Sequence, residues 1–202
     1  MAKILEKLNT TVIAGFVLLV IMIVIMLLWH GSNVLALGHA WWTFAFRWLH
    51  VLAGIMWIGL LYYFNFVQIP SMPKIPDEQK PAIGKVIAPT ALFWFRWAAL
   101  VTLVTGLIVA AMNGYLIEAI VLGLSDGVEK HTAIGIGMWL GGIMAFNVWM
   151  VIWPNQKKAL GIVEATPDEK KAAARRAMLF SRTNTMLSVP MLYAMVSAQN
   201  LY

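Results

Sequence analysis

The chain has no cysteine among its 202 residues. That excludes disulfides, thiolate metal ligands and a haem attached covalently through Cys-x-x-Cys-His. Charge is scarce as well, at 12% of residues, with 9 acidic side chains against 15 basic ones. A net charge of +6 can signal a nucleic-acid partner, but here the basic residues are not gathered into a patch. They alternate between loops that separate long apolar runs, so no nucleic-acid partner is expected. No stretch reads as a tandem repeat or as a second soluble domain.

What the chain has in abundance is apolar side chains, 61% of the total, and ten tryptophans. They come in blocks long enough to cross about 30 Å of hydrocarbon, which takes about 20 residues. Five blocks qualify, near 11–29, 41–68, 87–112, 131–153 and 179–199. The expected fold is therefore all-α, one polytopic transmembrane bundle of about five helices over residues 1–202. The first run is uncharged and too long for a secretory leader, and it reads as a retained anchor. The fifth carries Ser181, Arg182, Thr183, Asn184, Thr185 and Ser188 in its first half. Such a helix can span only with its polar face against other helices.

Lys74, Lys80 and Lys85 fall in the loop 69–86, and Lys157, Lys158, Lys170, Lys171, Arg175 and Arg176 in the loop 154–178. By the positive-inside rule these loops and the N-terminus are cytoplasmic and the C-terminus is outside, in the cell inner (plasma) membrane. Pro70, Pro73, Pro76 and Pro81 predict an extended connector in the first loop. Thr166-Pro167-Asp168-Glu169 predicts a capping-box helix start that runs into the fifth span. Residues 115–124 are apolar but too short to cross, and read as interfacial or re-entrant.

On this topology His30, His39, His50 and His131 all lie in the outer half or at the outer edge. His50 is the leading candidate, because an ionisable group inside a span needs a partner or a cofactor. Helical spacing places Arg47, His50, Gly54 and Trp57 on one face. An imidazole can ligate haem iron, a glycine one turn on clears space for a planar ring, and a guanidinium can pair with a propionate. That face could hold haem or another cofactor with His50 as its ligand, and His131 at the outer boundary is a further candidate ligand. The alternative is that His50 hydrogen-bonds a neighbouring helix and Gly54 allows close packing. Arg96, also inside a span, should pair, snorkel or bind an anion. Gly135, Gly137, Gly141 and Gly142 form a small-residue stripe suited to helix packing, and Asn147 and Asn184 read as interhelical hydrogen-bonding groups.

The stretch Arg47-Trp48-Leu49-His50-Val51-Leu52-Ala53-Gly54-Ile55-Met56-Trp57-Ile58-Gly59 resembles the first signature of the membrane-bound urate oxidase family, in its N-terminal membrane domain. Gly142-Ile143-Met144-Ala145-Phe146-Asn147-Val148, the run Ile152-Trp153-Pro154-Asn155-Gln156-Lys157 and the closing Arg182-Thr183-Asn184-Thr185-Met186-Leu187-Ser188-Val189-Pro190-Met191 resemble its later helices. A more distant likeness is to membrane proteins of the copper-resistance D and HemJ types. The resemblance implies a haem-associated redox protein that holds a non-covalent haem b, with His50 as axial ligand and His131 or His39 as candidate second ligand, oxidises urate or a similar small reductant and passes electrons to a separate cytochrome c. The chain departs from the pattern that the resemblance implies near Gly135, where the nearest histidine is His131 one turn earlier, and at Thr183, each a place where that pattern has a histidine. Those departures leave a rival expectation, a non-catalytic subunit of a larger respiratory-type complex. In either case the protein is expected to work within an oligomer or complex. No pair of broken spans recurs in two halves, so transport has no support.

Overall fold

A computed structural model describes residues Ala2–His30 and Leu37–Tyr202. The connection over 31–36 and the side chains of Lys3 and His30 lie outside the described residues. The described chain is helical, with no strand among the described residues. Two compact units divide at Trp42. The first holds α1 (Ala2–Leu5), α2 (Leu8–His30) and the first turn of α3 (His39–Tyr62). Apolar side chains such as Val12, Ile13 and Leu18 stand exposed along α2.

The second unit continues α3 and adds α4 (Ile69–Ser71), α5 (Lys80–Ala82), α6 (Ala88–Met112), α7 (Leu116–Ile120), α8 (Glu129–Phe146), α9 (Trp153–Ala159) and α10 (Pro167–Asn200). Four helical stretches are long and apolar enough to cross a membrane: Leu8–Trp29, His39–Lys74, Lys80–Met112 and Glu129–Ala159. The fifth expected span corresponds to α10, which has the length but not the apolar composition of the other four.

The extended connector expected from the prolines is not what forms. The helix continues past Tyr62 through Ser71 and a 3-10 turn to Lys74, and resumes at Lys80. Pro70, Pro73 and Pro81 each sit in the first turn of a short helix, where no amide is needed. Three π-helical turns, Tyr63–Gln68, Ile83–Ile87 and Asn147–Ile152, end two residues before Pro70, Pro89 and Pro154. A proline ring collides with the carbonyl four residues earlier. In each case that carbonyl, of Phe66, Lys85 or Met150, lies within the π turn. Widening the turn by one residue relieves the collision and lets the helix run on.

The apolar core joins Trp57, Leu61 and Phe64 to Leu92, Phe95 and Ala99 of α6, Met144, Val148 and Ile152, and Met191 of α10. Beside it runs a polar seam along one face of α10, where Ser181, Asn184 and Ser188 are all buried. Asn65 Nδ2 donates to Ser181 Oγ at 2.8 Å, Asn147 Nδ2 to Asn184 Oδ1 at 2.9 Å, and Tyr62 Oη meets Ser188 Oγ at 2.9 Å. The polar half of α10 therefore turns inward, while Arg182 and Met186 stay exposed. The capping box forms as the sequence predicts: Glu169 N donates to Thr166 Oγ1 and Thr166 N to Glu169 Oε2.

Candidate functional site

His50 projects from α3 onto a notch in α6 made by Thr102, Thr105 and Gly106. These are small residues at i, i+3 and i+4, hence on one helix face. His50 Nδ1 lies 2.8 Å from the Thr102 carbonyl oxygen, so Nδ1–H donates and the ring is fixed in one tautomer. Thr105 Oγ1 lies a further 3.4 Å from the same nitrogen. The imidazole fills the space of an absent side chain at Gly106, where a Cβ would come within 2.9 Å of His50 Cε1. On Nε2 there is no partner among the described residues. A histidine locked through Nδ1–H onto a carbonyl presents its Nε2 lone pair, the posture of a metal-ligating imidazole.

Gly54, one turn on, is not required by contacts within the chain. A Cβ there would meet only Thr102 Cγ2, at an ordinary 3.9 Å. Trp57 on the same face is buried in the core, and its indole N–H has no partner among the described residues. Arg47, one turn before His50, is exposed, and its charge reaches the Tyr115 hydroxyl. Burial pushes that hydroxyl above its usual pKa, with Arg47 opposing.

Tyr115 in turn stacks on His131, with ring centroids 5.8 Å apart at 24°. His131 stands in the first turn of α8, and its Nδ1 meets Asp126 Oδ2 at 2.6 Å. The structure thus joins Arg47, Tyr115, His131 and Asp126 at one end of the bundle, with His50 one turn deeper along α3. No recorded contact links His131 directly to His50, and His39 is the first residue of α3. Among the described residues no three His, Cys, Asp or Glu side chains converge as a metal site. Ligation by one or two imidazoles, as haem iron needs, is the metal chemistry this donor set fits.

The α6 residues, and Tyr115 and Asp126 as the two partners of His131, were not singled out in the sequence. The signal for the first was there, as Thr102, Thr105 and Gly106 are the kind of small polar stripe that seats a partner side chain in a span. At Gly135 a Cβ would overlap the Ala119 carbonyl oxygen of α7. At Thr183 the hydroxyl turns back to Leu179 O of its own helix.

The Asp126 carboxyl is held below the usual carboxylate range, first by the Val128 backbone N–H and then by His131. A lowered folded-state pKa gives stability that is present above the ordinary carboxylate range and lost as pH falls through the lowered value. Asp126→Asn should therefore lower the Tm at pH 7 by less than about 4 °C, as expected for an exposed pair. The difference from wild type should start to shrink as pH falls below about 4 and should go on shrinking through the lowered value. A thermal-melt series from pH 7 to 2 checks this, and a gap that does not narrow at all below about pH 4 would contradict it.

Comparison with known proteins returns no matching curated protein and no matching solved structure. Nothing in it bears on the more distant likeness to copper-resistance D and HemJ proteins. One family model matches, over residues that hold His131, Asn147, the Pro154-Asn155-Gln156-Lys157 end and all of α10, but not the stretch around His50. It is thus the part of the chain from residue 127 to residue 201 that matches the urate oxidase N-terminal family.

Proposed function

We propose that this chain is a haem-b-binding membrane redox protein that oxidises urate or a similar small reductant and delivers electrons to a separate cytochrome c. The observation that carries the reading is His50, with Nδ1 tied to the Thr102 carbonyl, Nε2 without a partner among the described residues, and Gly54 one turn on along the same face. The family match over residues 127–201 supports it independently. The alternation of basic and non-basic loops supports insertion in the plasma membrane with the N-terminus inside. In this topology α10 makes the fifth crossing, with its polar seam shielded by α3 and α8.

Haem, when bound, supplies one-electron transfer. The protein's own residues do the rest. The Thr102 carbonyl holds the His50 tautomer that keeps the lone pair on Nε2. Arg47 offers a guanidinium for a propionate or an anionic purine. Asp126 orients His131 in the same way that Thr102 orients His50, which makes His131 the second ligand candidate or a proton-handling group beside Tyr115.

A second reading, a non-catalytic subunit of a larger membrane complex, is favoured by one contact. The imidazole seated at Gly106 also serves as a plain interhelical joint. A reduced-minus-oxidised spectrum with pyridine haemochrome decides between them. Detergent-purified wild type should show a b-type spectrum and His50→Ala should lose it. Wild type free of haem despite haem supply during expression would overturn the redox reading and leave the structural one.

A further inference from the structure

Away from His50, a second group of polar atoms stands without partners. Trp149, Trp153 and Lys157 are spaced by four residues, so they follow one face of the π turn and α9. Arg96 of α6 lies against this face, its Cζ 3.4 Å from the Trp153 ring centroid and 5.9 Å from that of Trp149. Lys157 Nζ lies 5.7 Å from the centroid of the same Trp153 ring. The two cationic centres are therefore within ~9 Å of each other, about a Debye length, and both are half-buried.

No carboxylate pairs with either one among the described residues, where the ion pairs are Lys80–Asp77 and His131–Asp126. Arg96 Nε and Nη1 and Trp149 Nε1 are buried with no acceptor. Buried charged donors without acceptors are costly, and two like charges sharing one ring add repulsion. Cation–π contact with Trp153 offsets part of this cost but accepts none of the N–H groups. One anionic group with several acceptor oxygens would satisfy the N–H donors and both charges together.

We propose that Arg96, Lys157 and the Trp149 indole N–H form a phosphate-type oxyanion site, with Trp153 as the surface that holds the guanidinium in place. The site is separate from His50 and does not depend on haem. Its occupant is a phosphate oxyanion, from either a lipid headgroup or a soluble phosphate. Arg96 uses its planar fork on the oxyanion, Trp149 adds a neutral donor, and Lys157 adds charge at the rim.

The test uses the full chain, delipidated in a neutral detergent, with thermal unfolding followed against two probes. One is inorganic phosphate and the other short-chain phosphatidylglycerol, each compared with sodium chloride at matched ionic strength. Wild type should gain Tm saturably with at least one probe. Arg96→Gln should raise the half-saturating concentration by about tenfold or more, as loss of charge-assisted hydrogen bonds requires. Trp149→Phe, which keeps the ring and removes the N–H, should raise it about threefold to tenfold. A response to phosphate alone identifies a soluble ligand, and a response to phosphatidylglycerol only identifies a lipid headgroup. The proposal is overturned if neither probe exceeds the chloride control, or if Trp149→Phe and Arg96→Gln, both folded, respond as wild type does. Should Arg96→Gln fail to fold, Trp149→Phe and Lys157→Gln decide the matter alone.

Discussion

Asn184→Ala should destabilise the solubilised bundle by about 2 kcal/mol, more than a single hydrogen bond within a membrane is usually worth. Asn184 is fully buried, accepts from Asn147 Nδ2 through Oδ1, and donates to Met144 O through its own Nδ2, both at 2.9 Å. Removing it strands the Asn147 amide in a site without water and leaves a cavity between α8 and α10. Asn147→Ala loses one bond but leaves Asn184 attached to Met144, so its cost should be smaller. The double variant should cost less than the sum of the two, by about 1 kcal/mol, because the stranded amide is gone. Unfolding in increasing detergent denaturant, run on all four proteins, measures this cycle. Strict additivity would show that the pair is a coincidence of packing rather than the joint that holds α10 to α8.

The same pair illustrates what could be read from residues alone. An amide inside an apolar run must find an acceptor, so the interhelical role of Asn147 and Asn184 was legible before any coordinates. So were the long apolar runs, the inward turn of α10's polar face, and the capping box at Thr166, each of which depends on local chemistry. Pro70, Pro89 and Pro154 were not legible as helix-continuing residues. Whether a proline ends a helix or widens it to a π turn depends on whether flanking packing keeps the two halves aligned, and Phe64, Val148 and Ile152 in the core do so here. For the site, His50 stood out because it is ionisable at depth. Its partners on α6 did not, since a backbone carbonyl has no signature in sequence. For Arg96 the sequence left pairing, snorkelling and anion binding open, and its stacking on Trp153 required the register of α6 against α9. The glycine stripe was read as one packing surface, whereas close approach is confined to Gly135, against Ala119, and Gly137, where Met195 atoms would lie 3.2 Å from a Cβ. Nothing lies within 4 Å of a Cβ at Gly141 or Gly142.

That contrast gives the second large effect. Gly135→Ala should detach α7 from α8 at a cost of about 3 kcal/mol, the upper end for overpacking, because the added methyl meets backbone that has no rotamer to change. Its Cβ would overlap the Ala119 carbonyl oxygen and lie 3.1 Å from that residue's carbonyl carbon. Two further bonds clamp α7 and its following turn to α8, from Thr132 Oγ1 to Leu122 O at 2.8 Å and from Trp139 Nε1 to Ile120 O at 3.0 Å. The turn itself runs through Leu122 and Gly123 at positive φ, 57° and 69°. It cannot slide to make room, since a change at Gly123 is blocked by Thr132 and Val128. Protease cleavage between residues 113 and 128 should therefore rise in Gly135→Ala. Gly141→Ala, with open space at its Cβ, should be neutral or stabilising by up to about 1 kcal/mol through helix propensity. Because Asp126 and His131 close the same turn, Gly135→Ala should also loosen their 2.6 Å contact while leaving His50 on Thr102. Any larger side chain at residue 135 would need α7 placed elsewhere. Equal cleavage rates in Gly135→Ala and wild type would show that α7 yields without loss and that the absence of a side chain at Gly135 is incidental.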